Sequence, residues 1–255
     1  MKQNAVFLLD VGSSALKAVA VDLTQSFPAA IIWQSAIVSK GIKQGQVINV
    51  DEVDSCVAKL VDECHAALDF LPKKAFVLMS SPAFKSFNSY GVTRVLQKEV
   101  TAYDLHRVSE SACAIPLEKD EIIIHSIPQN FLLDYQSSDS APLGMCGTRL
   151  ETNSHLIVMK KASIDHIKNI LKKSGMADVS TQYSGYVASN LMSAADKEMG
   201  CCLLDIGAAI TDIVVFSQNK VCLTQTIGLG VDDVIQAISE GFQLPVQIAR
   251  EVFLS

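Results

Sequence analysis

No run of about 18 consecutive apolar residues occurs in the chain, so a helical membrane span is not expected. Lysine and arginine form no cluster and the net charge is −6. Nucleic-acid binding needs a basic footprint, so no nucleic-acid partner is expected. Seven cysteines occur without a CxxC pair, and five histidines without HxxxH spacing. A Cys/His metal centre therefore lacks its ligand spacing. An odd, scattered set of thiols fits reduced cysteines in a cytoplasmic chain. Charged residues are scarce, at 19% against 49% hydrophobic, which excludes disorder. Met1-Lys-Gln-Asn4 leads straight into a strand pattern, so no signal peptide is expected. With 255 residues there is room for one large or two modest domains with a real core.

What is present is one unusual turn, twice. Leu203-Leu-Asp-Ile-Gly-Ala-Ala-Ile-Thr-Asp-Ile-Val-Val-Phe216 is an apolar run, an Asp-x-Gly corner and a second apolar run. Phe7-Leu-Leu-Asp-Val-Gly-Ser-Ser-Ala-Leu-Lys-Ala-Val-Ala-Val21 repeats the design. Leu8 to Gly12 lies over Leu203 to Gly207 residue by residue. Either stretch alone could be an ordinary hairpin with an acidic turn. The matched pair predicts a duplication, with two lobes facing one ligand. Glycine allows close backbone approach and leaves amides free for an anion. An Asp does not usefully touch phosphate, but it can hold Mg²⁺ through water. Asp10 and Asp205 are the candidates for that role. Ser13 and Ser14 add hydroxyls, and Lys17 adds a cation.

Periodicity predicts strands at 5–9, 16–23, 31–38 and 75–79. A helix is expected from an Asp51 N-cap, with Val53, Val57, Leu60, Val61, Cys64 and Leu68 on one face. After Ser80-Ser-Pro82 the style changes. The spacing there predicts a strand over 84–95, a helix from a Thr101 cap through Ala114, strands at 122–127, 131–134 and 152–159, and a loop over 137–147. Helices are expected at 161–174, 187–195 and 232–242, with another starting at Pro245. A third strand of the second lobe is expected at 221–227.

The pairing of the two turns resembles the phosphate 1 and phosphate 2 motifs of the actin, chaperone and sugar-kinase ATPases. Further segments are similar to the bacterial cell-division family FtsA. They are Gly41-Ile-Lys-Gln-Gly45 with Val47-Ile-Asn-Val-Asp51, Ser86-Phe-Asn-Ser-Tyr-Gly-Val92, His125-Ser-Ile-Pro-Gln-Asn-Phe-Leu-Leu-Asp134, Pro142-Leu-Gly-Met-Cys-Gly-Thr-Arg-Leu-Glu151 and His155-Leu-Ile157. The resemblance covers essentially the whole chain. It implies an α/β, actin-like (ribonuclease H-like) fold whose first lobe carries an inserted α+β subdomain, 1C, and whose second lobe is incomplete. The implied division is 1–82 with 160–196 as subdomain 1A, 83–159 as 1C, 197–230 as the start of 2A and 231–255 as the start of 2B.

By the same resemblance, Asp10, Gly12, Ser13, Ser14 and Lys17 belong to phosphate 1, and Asp205, Gly207, Ala208, Thr211 and Asp212 to phosphate 2. Gln182 would orient an attacking water, unless it is only a solvated residue before a helix. ATP and Mg²⁺ are the implied cofactors. The family polymerises and tethers filaments of the tubulin-like FtsZ to the inner face of the membrane. It meets later division proteins through 1C, and reaches the membrane through a C-terminal helix not found in this sequence. Departures bear on this: Ala208-Ala209-Ile210 stands where the family usually has Gly-Gly-Thr, and Gly230-Val231 replaces a usual Gly-Gly. A methyl at each alanine is expected to restrict positive φ and to crowd the phosphate approach. The alternatives are a nucleotide-free interaction scaffold, a PilM-like pilus-assembly platform, and a small-molecule kinase of the same superfamily. Any ATPase activity is expected to be weak.

Overall fold

The structure, a computed structural model, describes residues 4–26 and 30–254. Residues 1–3, which belong to the predicted leaderless start, lie outside the described residues, as do 27–29 and Ser255. The chain opens with β1 (Ala5–Val11), β2 (Ala15–Asp22) and β3 (Ile31–Val38) as an antiparallel meander. A small hairpin follows, β4 (Ile42–Lys43) and β5 (Gln46–Val47), then α1 (Val50–Leu68) and β6 (Lys74–Met79). The N-cap of α1 is Asn49, not the expected Asp51; its side-chain oxygen accepts from the Glu52 amide. Asp51 and Glu52 instead fill the first turn, where the helix dipole favours negative charge.

Between β6 and the next helix the chain makes an excursion. It runs through β7 (Lys85–Arg94), α2 (Ala102–Cys113), β8 (Glu121–Leu133), β9 (Gln136–Ser138) and β10 (Arg149–Lys160). These strands form a separate sheet in the order β7-β10-β8-β9. The two strands expected at 122–127 and 131–134 are one continuous strand. Pro128, which has no amide to donate, is absorbed where β8 and β10 slip register beside Ser154. Helix α2 has the expected Thr101 cap, with Asp104 completing a capping box while itself buried. Gly91 is needed because α2 lies directly on β7: an added Cβ would stand 2.3 Å from the Val108 carbonyl oxygen.

The chain then returns through α3 (Lys161–Lys173) to β11 (Asp178–Tyr183), a strand that periodicity did not reveal. Strand β11 completes the first sheet, in the order β11-β6-β1-β2-β3, with β1, β6 and β11 parallel. Helices α1 and α3 cover one face. Val53, Val57, Leu60 and Val61 of the first, with Ile164, Ile167 and Leu171 of the second, pack on Phe7, Leu9, Leu16, Ala18 and Val77. That face is the main core.

The helix expected over 187–195 is broken. It is α4 (Ser184–Ala188), a 3₁₀ turn over Ser189–Leu191, and α5 (Ala194–Met199). Ser189 and Asn190 bond back to the Tyr186 and Val187 carbonyls, and Ser193 caps the new helix. Such side-chain competition with the backbone ends helices. A second meander, β12 (Cys201–Ile206), β13 (Thr211–Ser217) and β14 (Lys220–Ile227), precedes α6 (Val231–Phe242) and α7 (Val246–Leu254). Among the described residues no helix is long and apolar enough to cross a membrane.

Candidate functional site

The turns of hairpins β1–β2 and β12–β13 line one cleft of about 150 Å³. Asp10, Gly12, Ser13, Ser14 and Lys17 come from the first hairpin, and Asp205, Gly207, Ala208 and Asp212 from the second. Ser80, at the end of β6, and Ser184, at the start of α4, complete the wall. In both turns glycine serves close approach, since neither has positive φ. A Cβ at Gly12 would meet the Ala15 carbonyl oxygen at 2.6 Å, and one at Gly207 the Ile210 oxygen at 3.0 Å. Ala208 and Ala209 likewise avoid positive φ. The expected backbone penalty of the alanines is therefore absent; their cost is confined to space, because Ala208 faces the cleft.

The first small hairpin braces the site. Gly45, at φ +70°, sits so close to the Ser80 carbonyl oxygen that an added Cβ would lie 1.7 Å from it. Its amide donates to the Ser13 hydroxyl at 3.2 Å. Gln44 reaches across to the second lobe, donating to the Gly228 carbonyl at 3.1 Å. Gly230 lets the start of α6 press on the second turn, where the Val231 and Asp232 amides donate to the Gly207 and Ala208 carbonyls.

The floor is a buried polar knot between the lobes. Asp212 accepts from Ser80 Oγ at 2.5 Å, from Thr226 Oγ1 at 2.5 Å and from the Tyr183 hydroxyl at 3.2 Å. Burial pushes the Asp212 carboxyl above its ordinary range, the three hydroxyls pull it down, and Asp205 adds a further upward push. Burial also raises Asp10; Lys17, at 3.7 Å, opposes this, and the charge of Asp205 adds to it. Two carboxylates on one cleft, with the charge of Asp205 disfavouring that of Asp10 and one exposed lysine beside them, form a donor set that a divalent cation would relieve. Asp10 and Asp205 thus fit Mg²⁺ held through water, with the remaining positions left for phosphate oxygens.

Two expected residues lie outside this cleft. Thr211 is buried and spends its hydroxyl on the Leu229 carbonyl at 2.7 Å, so it holds the loop before α6. Gln182 stands in register with Leu78, which is in register with Asp10. It shares a face of the sheet with Asp10 but is a strand further off. Ser80 and Ser184 were not singled out as site residues. The only signal for Ser80 was the Ser-Ser-Pro break, which reads equally as a boundary.

Residues 83–158 match the family model described as "SHS2 domain inserted in FTSA", and residues 202–254 match "Cell division protein FtsA". Together these matches take in half of the chain. The chain belongs to the FtsA family. Its similarity to FtsA of Pseudomonas aeruginosa is 28% identity over 246 residues, covering 96% of this chain and 59% of that protein. The chain spans about 60% of the length of the curated FtsA relatives it matches. The fold is actin-like. The solved PilM-PilN type IV pilus biogenesis complex aligns with a TM-score of 0.67 at 17% identity, over 99% of this chain and 69% of that one. MreB5 of Spiroplasma citri bound to ADP aligns with a TM-score of 0.51 at 10% identity, over 99% and 62%. The FtsA insert coincides with the excursion β7–β10, which interrupts the crossover from β6 to β11.

Proposed function

We propose that this FtsA-family chain is the nucleotide-binding part of a cell-division scaffold, gripping the phosphates of ATP with Mg²⁺ between its two hairpins. The observation that carries the reading is the convergence of two Asp-x-Gly turns, from two sheets, on one cleft that also holds Lys17. The amides near Gly12 and Gly207, with Ser13 and Ser14, would receive phosphate oxygens. Asp10 and Asp205 would hold the metal through water, and Mg²⁺ would supply charge neutralisation there. We assign Gln182 to water orientation should hydrolysis occur; its support is its place level with Asp10 on the same sheet face. The proposed division is 1–82 with 160–196 as 1A, 83–159 as 1C, 197–230 as the start of 2A and 231–255 as the start of 2B. FtsZ, further copies of the chain and later division proteins are the proposed partners, at the inner face of the cell membrane.

Calorimetric titration with MgATP tests the site. Asp205→Ala should weaken binding by about tenfold or more, the scale of one lost charge-assisted contact. Unchanged affinity would overturn the assignment. One observation favours a second reading, a nucleotide-free scaffold: the Ala208 methyl occupies cleft wall where phosphate must approach. Absence of any MgATP heat with the unaltered chain would decide for it.

A further inference from the structure

Strand β14 touches both the carboxylate floor and the insert. Thr226 donates to Asp212 and stands opposite it in the ladder. Two residues earlier, on the same face, lies Thr224, equally buried. Its hydroxyl meets His155 Nε2 at 2.9 Å, and its carbonyl accepts from Ser86 Oγ at 2.6 Å. His155 is fully engaged, because its Nδ1 meets Asn88 Oδ1 at 2.8 Å. Asn88 Oδ1 can only accept, so Nδ1 carries the proton and Nε2 accepts from Thr224. Gln129 Nε2 donates to the Val221 carbonyl at 2.5 Å. Side chains from β7, β8 and β10 thus all fasten on β14.

Tyr183 makes a second link. Its hydroxyl reaches Asp212, while its amide donates to His125 Nε2 on β8 at 3.0 Å. Behind these bonds lies a buried cluster in which Ile157 of the insert packs with Tyr183, Val214, Phe216 and Val221. A seam that is close-packed and cross-linked by several hydrogen bonds does not deform gradually; it shifts as a unit or stays put.

We infer that β14 and Tyr183 couple the insert to the floor of the cleft, so that a change in the bonding of Asp212 is passed to the insert sheet through Thr226, Thr224 and His155. That phosphate or metal is what changes Asp212 rests on the function proposed above; the coupling itself does not. Tyr183 and Thr226 act as positioning residues for Asp212, and Thr224 and His155 as the transmitting pair. The insert then presents its outer face differently with the cleft filled and empty.

Hydrogen exchange of β7 and β10, read by mass spectrometry, tests this in a cycle of Asp212→Asn, Thr224→Val and the double variant. Asp212→Asn is expected to speed exchange in both insert strands by about threefold or more, although the side-chain partners of Asp212 are Ser80, Tyr183 and Thr226, on neither strand. Thr224→Val should do the same, and the double variant should add nothing further, since coupled residues are non-additive. Wild-type exchange in the insert of Asp212→Asn, or simple additivity, would overturn the coupling. Tyr183→Phe, which removes one hydroxyl, replaces Asp212→Asn if that variant does not fold. MgATP titration of the same samples separates the two ideas. Non-additivity without nucleotide binding overturns the site alone, and nucleotide binding with additive effects overturns the coupling alone.

Discussion

The two hairpins share a sequence design and live in opposite surroundings. Strand β1 runs through the middle of a five-stranded sheet, paired with β2 on one side and β6 on the other, under two helices. Strand β12 has the same Leu-Leu-Asp-x-Gly ending and pairs only with β13 among the described residues. Leu9 is wholly buried, whereas its counterpart Leu204 is 55% exposed and Ile206 is 58% exposed. The difference continues across the ladder. Asp10 faces Lys17, while Asp205 faces Asp212 at the equivalent register. One hairpin sets a lysine opposite its carboxylate. The other opposes like charges and resolves them by sinking Asp212 among three hydroxyls. An Asp-x-Gly turn is therefore a module whose chemistry is set by the residue seven places on and by what covers the strand.

The sharpest way to break the comparison is to truncate the matched leucines. Leu9→Ala should cost about 2–5 kcal/mol in urea unfolding, the range for an emptied core site. Next is Asp212→Ala, which takes the carboxylate acceptor from Ser80 and Thr226, while Tyr183 keeps the Gln225 carbonyl at 3.1 Å. A loss of about 1–3 kcal/mol is expected, with no comparable loss for Lys17→Ala at the exposed equivalent position. If both variants unfold at the same urea concentration, the two cross-strand pairs are not different in kind.

Acid should then act on the seam before it acts on the first sheet. Burial pushes His125 and His155 down to about 4. The unfolded chain binds these protons near pH 6.5, so the folded state loses stability as pH falls from there to about 4, and the loss levels off below. His125 faces Tyr183 and Tyr186, and protonation of Nε2 removes the acceptor for the Tyr183 amide. Urea midpoints between pH 7 and 4 should fall less steeply in His125→Gln. An unchanged slope would show that this imidazole is not held neutral. The smallest effect is Leu204→Ala, expected within about 0.5 kcal/mol of wild type because the side chain is already in water. Leu204→Lys should reduce any concentration-dependent light scattering, since a charge on a bare apolar edge blocks strand-to-strand pairing.

Much of this was legible in the chain because it is local. Residues 5–9 and 203–206 read as apolar runs into Asp-x-Gly, and Val53 to Cys64 and Ile164 to Leu171 read as helix faces. Thr101 and Asp104 announced the start of α2. Elements whose identity depends on neighbours were not legible. Asp178–Tyr183 alternates weakly and became a strand because β6 offered a parallel edge. Pro128 suggested a break that the β8–β10 bulge absorbed. The helix over 187–195 looked continuous because periodicity does not register side chains that bond back to the backbone.

The sequence by itself determined the duplicated turn, the residues placed at each corner and the resemblance to FtsA, since these depend only on order and spacing along the chain. The tertiary structure alone decided which of those residues meet. It brought Ser80, Tyr183 and Thr226 together around Asp212, turned the Thr211 hydroxyl away to Leu229, and set His155 against β14. Each of those outcomes is a long-range pairing of buried polar groups, settled only when every donor and acceptor removed from water must find a partner.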